Sequence, residues 1–280
     1  PARSFAGVHV LLAEDNQVNQ EVATAMLELH GCRVDLVRDG RAAVEAATTK
    51  SYDLVLMDWH MPEMDGLQAT ARIRERERAR GVRPTPIVAL TASAMARDDL
   101  RCLEAGMDDY LSKPFTEDGL VAILNRWSRA THDDQGAPAV SAPMPAALPS
   151  AAPLATPPPA IDSEALARLS RMERPDRPGF VDRIVRRYLT DAPRLVQSIV
   201  DGIAAGDRQA VAVAAHTLKS SSANLGAVFV RDACAELEQL ATADTEWGTL
   251  RALAAVLQSS FVDASAELST RLQRSPNASA

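Results

Sequence analysis

At 280 residues, 46% of them hydrophobic, the chain is long enough for two globular units rather than one. Its formal net charge is -7 with acids and bases interleaved, and even the basic run RIRERERARGVR (72–83) alternates with Glu like a solvated helical face, which argues against a direct nucleic-acid surface. Cys32, Cys102 and Cys234 lie far apart with no C-x-x-C pair, against a disulfide scaffold or zinc site and for a reduced, cytoplasmic setting, and no stretch approaches the roughly 18 apolar residues of a membrane span.

The N-terminal elements alternate. VHVLLA (8–13), RVDLV (33–37), DLVLM (53–57), PIVALT (86–91) and DDYLS (108–112) read as strands, and the pieces between them have helical periodicity and stop signals such as Gly31. Five strands alternating with five helices predict an α/β domain with a mostly parallel sheet, whose ligands bind beyond the carboxyl ends of the strands. Those ends carry chemistry. VHVLLAED stops at Glu14 and Asp15, and DLVLMD stops at Asp58, so neighbouring first and third strands would bring three carboxylates together. Their repulsion is relieved by a hard cation, and Mg²⁺ suits a site with few protein oxygens and room for water and phosphate. IVALT ends at the hydroxyl of Thr91, and DDYLSKP presents Lys113 before Pro114. A carboxylate nucleophile, a metal, a hydroxyl and an ammonium are the parts that move a phosphoryl group, and Asp58 is assigned as its acceptor.

LLAEDNQVNQ, LVLMDWHMPEMDG, IVALTAS and DDYLSKPF, in this order, closely resemble the response-regulator receiver domain over about residues 7–130. The resemblance implies a flavodoxin-like five-stranded fold of order 2-1-3-4-5 and phosphorylation of Asp58. It also implies Mg²⁺ held by Asp15, Asp58 and the backbone carbonyl of His60, with Glu14 acting through water. Thr91 and Lys113 would grip the phosphoryl oxygens, Thr91 and Tyr110 would occupy the switch positions, and Lys113–Pro114 would be cis. The His60 ring reads as a rim side chain, and Met61 and Met64 as packing and loop residues. Glu14 departs from the paired Asp of many receivers but still supplies a carboxylate.

Residues 131–160 hold 8 of the 17 prolines and almost no large apolar residues, which predicts an extended linker between units that tumble independently. Beyond it, helical patterns fill 162–171, 178–205, 207–224, 227–242 and 246–272, an antiparallel bundle. Within AVAVAAHTLKSSSANLGA (210–227), Val211, Ala215, Leu218, Ser222 and Leu225 form a core stripe. His216, about 200° from Leu218 on the helical wheel, is expected to face solvent among Ala212, Lys219, Ser220 and Ala223. AHTLKSSSANLGA resembles the signature of the histidine-containing phosphotransfer (HPt) domain over roughly residues 160–272. The resemblance implies a four-helix bundle with an extra N-terminal helix, phosphorylation of His216 and electrostatic support from Lys219. Ser220 stands where a Gly or small residue is common. DACAELEQLA (232–241) reads as a packing helix with Cys234 in the core.

The order receiver (1–130), linker (131–160), HPt (161–280) resembles the C-terminal part of a bacterial hybrid sensor histidine kinase, and Pro1 in place of Met fits a piece of a longer protein. The expectation is a multistep phosphorelay: an upstream kinase core, in the same parent protein or in trans, phosphorylates Asp58, Asp58 passes the group to His216, and His216 passes it to a response regulator. A cytoplasmic location and a membrane-attached parent are both compatible, and no ATP-binding kinase region is visible. Two alternatives stand beside it. One is a phosphorylation-independent binding module that keeps both folds. The other is a small-substrate phosphatase, disfavoured because Trp59 and His60 after Asp58 offer no second acid.

Overall fold

The computed structural model describes residues 5–91, 102–127, 159–175, 177–243 and 245–274. Strands β1 (His9–Ala13), β2 (Arg33–Val37), β3 (Leu54–Asp58), β4 (Ile87–Thr91) and β5 (Asp109–Ser112) form one parallel sheet in the expected order 2-1-3-4-5. Every residue of β3 and β4 is buried, because helices cover both faces of the sheet. Alternation divides the strands between two cores: Val10 and Leu12 pack toward helices α1 (Gln17–Leu29) and α4 (Glu117–Trp127). Leu11 and Ala13 pack toward α2 (Gly40–Thr49) and α3 (Gly66–Arg80). Of the helix expected between β4 and β5 only residues 102–104 are described, and the linker up to residue 158 falls outside the described residues.

Two short-range features fix the mouth of β3. Asp65, the second acid of MPEMDG, caps α3 by accepting from the Gln68 amide at 2.7 Å. Next to it, a Cβ added to Gly66 would lie 2.2 Å from the Asp58 carbonyl oxygen. Glycine is therefore required for α3 to begin directly against the end of β3.

The second unit is all helical: α5 (Ser163–Ser170), α6 (Phe180–Ala205), α7 (Arg208–Leu225), α8 (Val228–Thr242) and α9 (Trp247–Arg274). The stripe read from the sequence is the stripe that is buried: Val211, Ala215, Leu218 and Leu225 are fully enclosed, and Ser222 beside them hydrogen-bonds the buried Tyr188 hydroxyl at 2.9 Å. Short α5 is tied on by the Asp162 amide donating to the Gly226 carbonyl at 2.8 Å.

The two units are not separate. α1 packs against α6 and α7, and Glu28 on α1 meets Arg177 at 3.0 Å and Arg174 at 3.9 Å. The independence expected from linker composition is thus replaced by one docked arrangement, because α1 offers a partly polar face that the bundle covers.

Candidate functional site

Adjacent β1 and β3 end together, and that adjacency gathers the acids. Ligand oxygens of Glu14, Asp15 and Asp58 all lie within 4.8 Å of one another. Glu14 and Asp58 are buried, and Lys113, at the end of β5, spans them at 2.6 Å and 2.7 Å. Burial and the Asp58 charge push the Glu14 carboxyl up to about 7. Burial and the Glu14 charge push Asp15 up to about 6. Asp58 is raised as well, by burial against the opposing pull of Lys113. Lys113 is held above the ordinary ammonium range: burial disfavours its charge, but the two carboxylates outweigh that cost.

One ammonium does not satisfy this site. Among the described residues, Asp58 Oδ1 is buried without a hydrogen-bond partner, and Lys113 is the cation paired with Glu14 and Asp58. Oxygen-only donors at this spacing, one of them orphaned, fit a hard divalent ion. Thr91, buried at the end of β4, is joined to this edge by the Lys113 amide donating to its carbonyl at 2.6 Å, and Lys113–Pro114 is cis. Tyr110 is half-buried against the cluster that holds Trp59, Met61 and Met64.

His216 is where the structure departs most from the sequence reading. It was expected to face solvent and is only 6% exposed. The wheel placed it correctly outside the bundle core, but the receiver-like unit covers that face. The His60 ring, stacked on Trp59, lies 4.3 Å from the His216 ring, centroid to centroid. His60 keeps an exposed edge, yet desolvation of its ring and the neighbouring His216 push its pKa down to about 4. His216 Nδ1 meets Glu238 Oε1 at 2.7 Å, and Lys219 Nζ bonds the other oxygen of Glu238. Burial would raise Glu238, but the His216 hydrogen bond and the His216 and Lys219 charges outweigh it and hold it at about 2. An ionised carboxylate only accepts, so Nδ1 carries hydrogen and the lone pair of a neutral ring sits on Nε2. That Nε2 is buried and has no hydrogen-bond partner among the described residues.

Three residues here were not singled out in the sequence. Glu238 lay within a helix read as packing, although counting outward from the Gly226–Ala227 turn sets 237 and 238 opposite 216. Asn16 and Asn19 cross the junction: Asn16 Nδ2 reaches the Thr217 carbonyl at 3.4 Å, and Asn19 Nδ2 donates to Ser220 Oγ at 3.0 Å. No local pattern marks a side chain that bonds 201 positions away. Beside the junction a cleft of about 330 Å³, lined by Asp15, His60 and Thr217 among others, remains open.

Comparison with known proteins assigns both halves. Residues 10–125 match the response regulator receiver domain and residues 183–277 match the Hpt domain. The chain carries a receiver domain followed by an Hpt domain. The chain is 44% identical over 127 residues to the sensor histidine kinase GacS of Pseudomonas protegens, covering 45% of this chain and 14% of that protein. It is 35% identical over 130 residues to hybrid signal transduction histidine kinase L of Dictyostelium discoideum, covering 45% of this chain and 8% of that protein. The chain thus spans a small part of the curated relatives it matches. Among solved structures, the receiver domain of sensor histidine kinase PA1611 from Pseudomonas aeruginosa, with magnesium in its active-site cleft, is 50% identical, covering 44% of this chain and 99% of that one with a TM-score of 0.41. The Saccharomyces cerevisiae complex of the phosphotransfer protein Ypd1 with the Ssk1 receiver domain matches at 31% identity, covering 45% of this chain and 92% of that one, with a TM-score of 0.43. A receiver domain joined to an Hpt domain is a multistep phosphorelay module of two-component signalling. Among the described residues no helix is long and apolar enough to cross a membrane.

Proposed function

We propose that Asp58 accepts a phosphoryl group from an upstream kinase histidine, that Asp58 passes it to His216, and that His216 delivers it to an aspartate of a separate response regulator. The observation that carries this reading is the buried Nε2 of His216, unpartnered among the described residues, on a ring whose centroid lies 4.3 Å from that of His60 just after Asp58, with Nδ1 anchored by Glu238. In the transfer step the Nε2 lone pair forms the N–P bond as the P–O bond to Asp58 breaks. The Asp58 carboxylate leaves with the electron pair and is received by Lys113, and the hydrogen stays on Nδ1, donated to the Glu238 carboxylate. Asp15, Asp58 and the His60 carbonyl, with Glu14 through water, would hold Mg²⁺, which would neutralise charge on the phosphoryl oxygens. Thr91 and Lys113 grip those oxygens, Thr91 and Tyr110 act as the switch pair, and Lys219 supports the phosphorylated His216.

The domains run 1–130 and 161–280, joined by the 131–160 linker, within a longer cytoplasmic or membrane-attached sensor kinase. The deciding experiment supplies acetyl phosphate or a phosphorylated kinase with Mg²⁺ and follows intact mass and acid or base lability. Wild type is expected to gain a base-labile acyl phosphate and then an acid-labile phosphohistidine. Asp58→Asn loses both, and His216→Gln retains the acyl phosphate alone. A wild-type chain that no donor labels, while Mg²⁺ still binds, would be a binding module instead.

A further inference from the structure

Asn19 on α1 is 1% exposed, and its amide is used on both sides of the domain junction. Nδ2 donates to Glu14 Oε1 at 2.9 Å and to Ser220 Oγ at 3.0 Å, and Oδ1 accepts from Asn224 Nδ2 at 2.8 Å. The orientation of this amide is dictated by its neighbour. Glu14 Oε1 also accepts from the Asn16 amide at 3.3 Å, so it faces a donor, and the oxygen of Asn19 must turn toward Asn224. One turn earlier, Asn16 uses its Oδ1 to cap α1 and its Nδ2 to reach the Thr217 carbonyl, to which Ser220 Oγ also donates. Thr217, Ser220 and Asn224 lie at spacings of three, four and seven, one face of α7 that adjoins His216.

Apolar faces slide past one another at small cost. A buried amide does not, because a shifted partner leaves its donors and acceptors unmet, as when one buried Asn fixes the register of a coiled coil. Asn19 differs from a simple interface contact in being tied to Glu14, so the offset it sets is measured from the acid site itself.

We propose that Asn19 and Asn224 form a register pin that selects α7 of this chain as the partner of the receiver domain and delivers His216 to the acid site; this rests on the phosphorelay reading above. Both are positioning residues, since neither touches the reacting atoms. The partner that fits is a helix with a small hydroxyl four residues, and a carboxamide eight residues, beyond its phosphoacceptor histidine. A helix without them leaves Asn19 buried and unsatisfied.

The test uses the full chain with Mg²⁺ and acetyl phosphate, timing the acyl phosphate at Asp58 and the phosphohistidine at His216 separately. Asn224→Asp keeps the side-chain shape and turns the donor into an acceptor facing Asn19 Oδ1. It is expected to leave Asp58 labelling and the thermal melt of the bundle unchanged while slowing transfer to His216 roughly ten- to hundredfold. Asn19→Ala and Asn224→Ala should each slow transfer from Asp58, and the double variant should be no slower than the worse single one. Unchanged transfer in Asn224→Asp, or losses that simply add in the double variant, would overturn the pin. A wild-type chain that labels Asp58 and never His216 would instead remove the relay reading on which the pin depends.

Discussion

Glu14, Asp15 and Asp58 show what it costs to prepare an acidic site before its cation arrives. Glu14 and Asp15 hold their protons to about pH 7 and 6, against about 4 for ordinary carboxyls. The folded chain therefore binds more protons than the unfolded chain between about pH 4 and 7. Stability drawn from these groups is present below that window and falls as the pH climbs through it. Glu14→Gln isolates the effect: in melting curves without metal, its stability relative to wild type should rise from pH 4 to pH 7.5. Mg²⁺ reverses the balance by binding the deprotonated form, so the melting shift it gives wild type should be largest above pH 7 and fade below pH 6. A metal-induced shift that does not depend on pH would contradict this account of the three carboxylates.

Within an element, periodicity decides what can be read. Strand and helix bounds follow the sequence reading within about two residues, because apolar side chains repeat at the period of the element that buries them. The acids were legible for a similar reason: they terminate apolar strands, where topology alone brings them together. α7 shows the limit. Its inner stripe is written in the sequence, whereas the fate of its outer face depends on what docks there. Glu238 was illegible because its contact crosses a helical hairpin, and one glutamate on an exposed-looking face resembles any other. Its role is testable at this scale. Glu238→Ala frees the His216 ring to rotate and removes the acceptor that keeps hydrogen on Nδ1, so transfer from Asp58 should slow about tenfold or more. Glu238→Gln retains an accepting oxygen and should lose less. Equal losses in the two, measured by rapid quench, would mean that charge rather than orientation is what Glu238 provides.

At the scale of the molecule, composition gave the wrong expectation. A proline-rich linker says how two bodies are joined and nothing about whether their surfaces match. The matching surfaces here combine apolar contacts, an asparagine cluster, and the Glu28 pair with Arg174 and Arg177 at the rim. Rim pairs are exposed and contribute modestly, roughly 0–1 kcal/mol each, but reversing one charge sets three arginines against each other. Glu28→Arg should increase the radius of gyration in small-angle scattering at low ionic strength, and salt should restore the compact particle. No change in radius at any salt concentration would show that the rim plays no part in closure.

The enclosed Nε2 of His216 also sets a limit on timing. In the proposed relay, the face of α7 that meets this receiver is the face another receiver would need, so arrival and departure of a phosphoryl group would not overlap, and each cycle would include one opening and one closing of the joint. A loosened joint would therefore change the delay between input and output while leaving every reacting atom as it was, and a tightened one would hold the message longer before release.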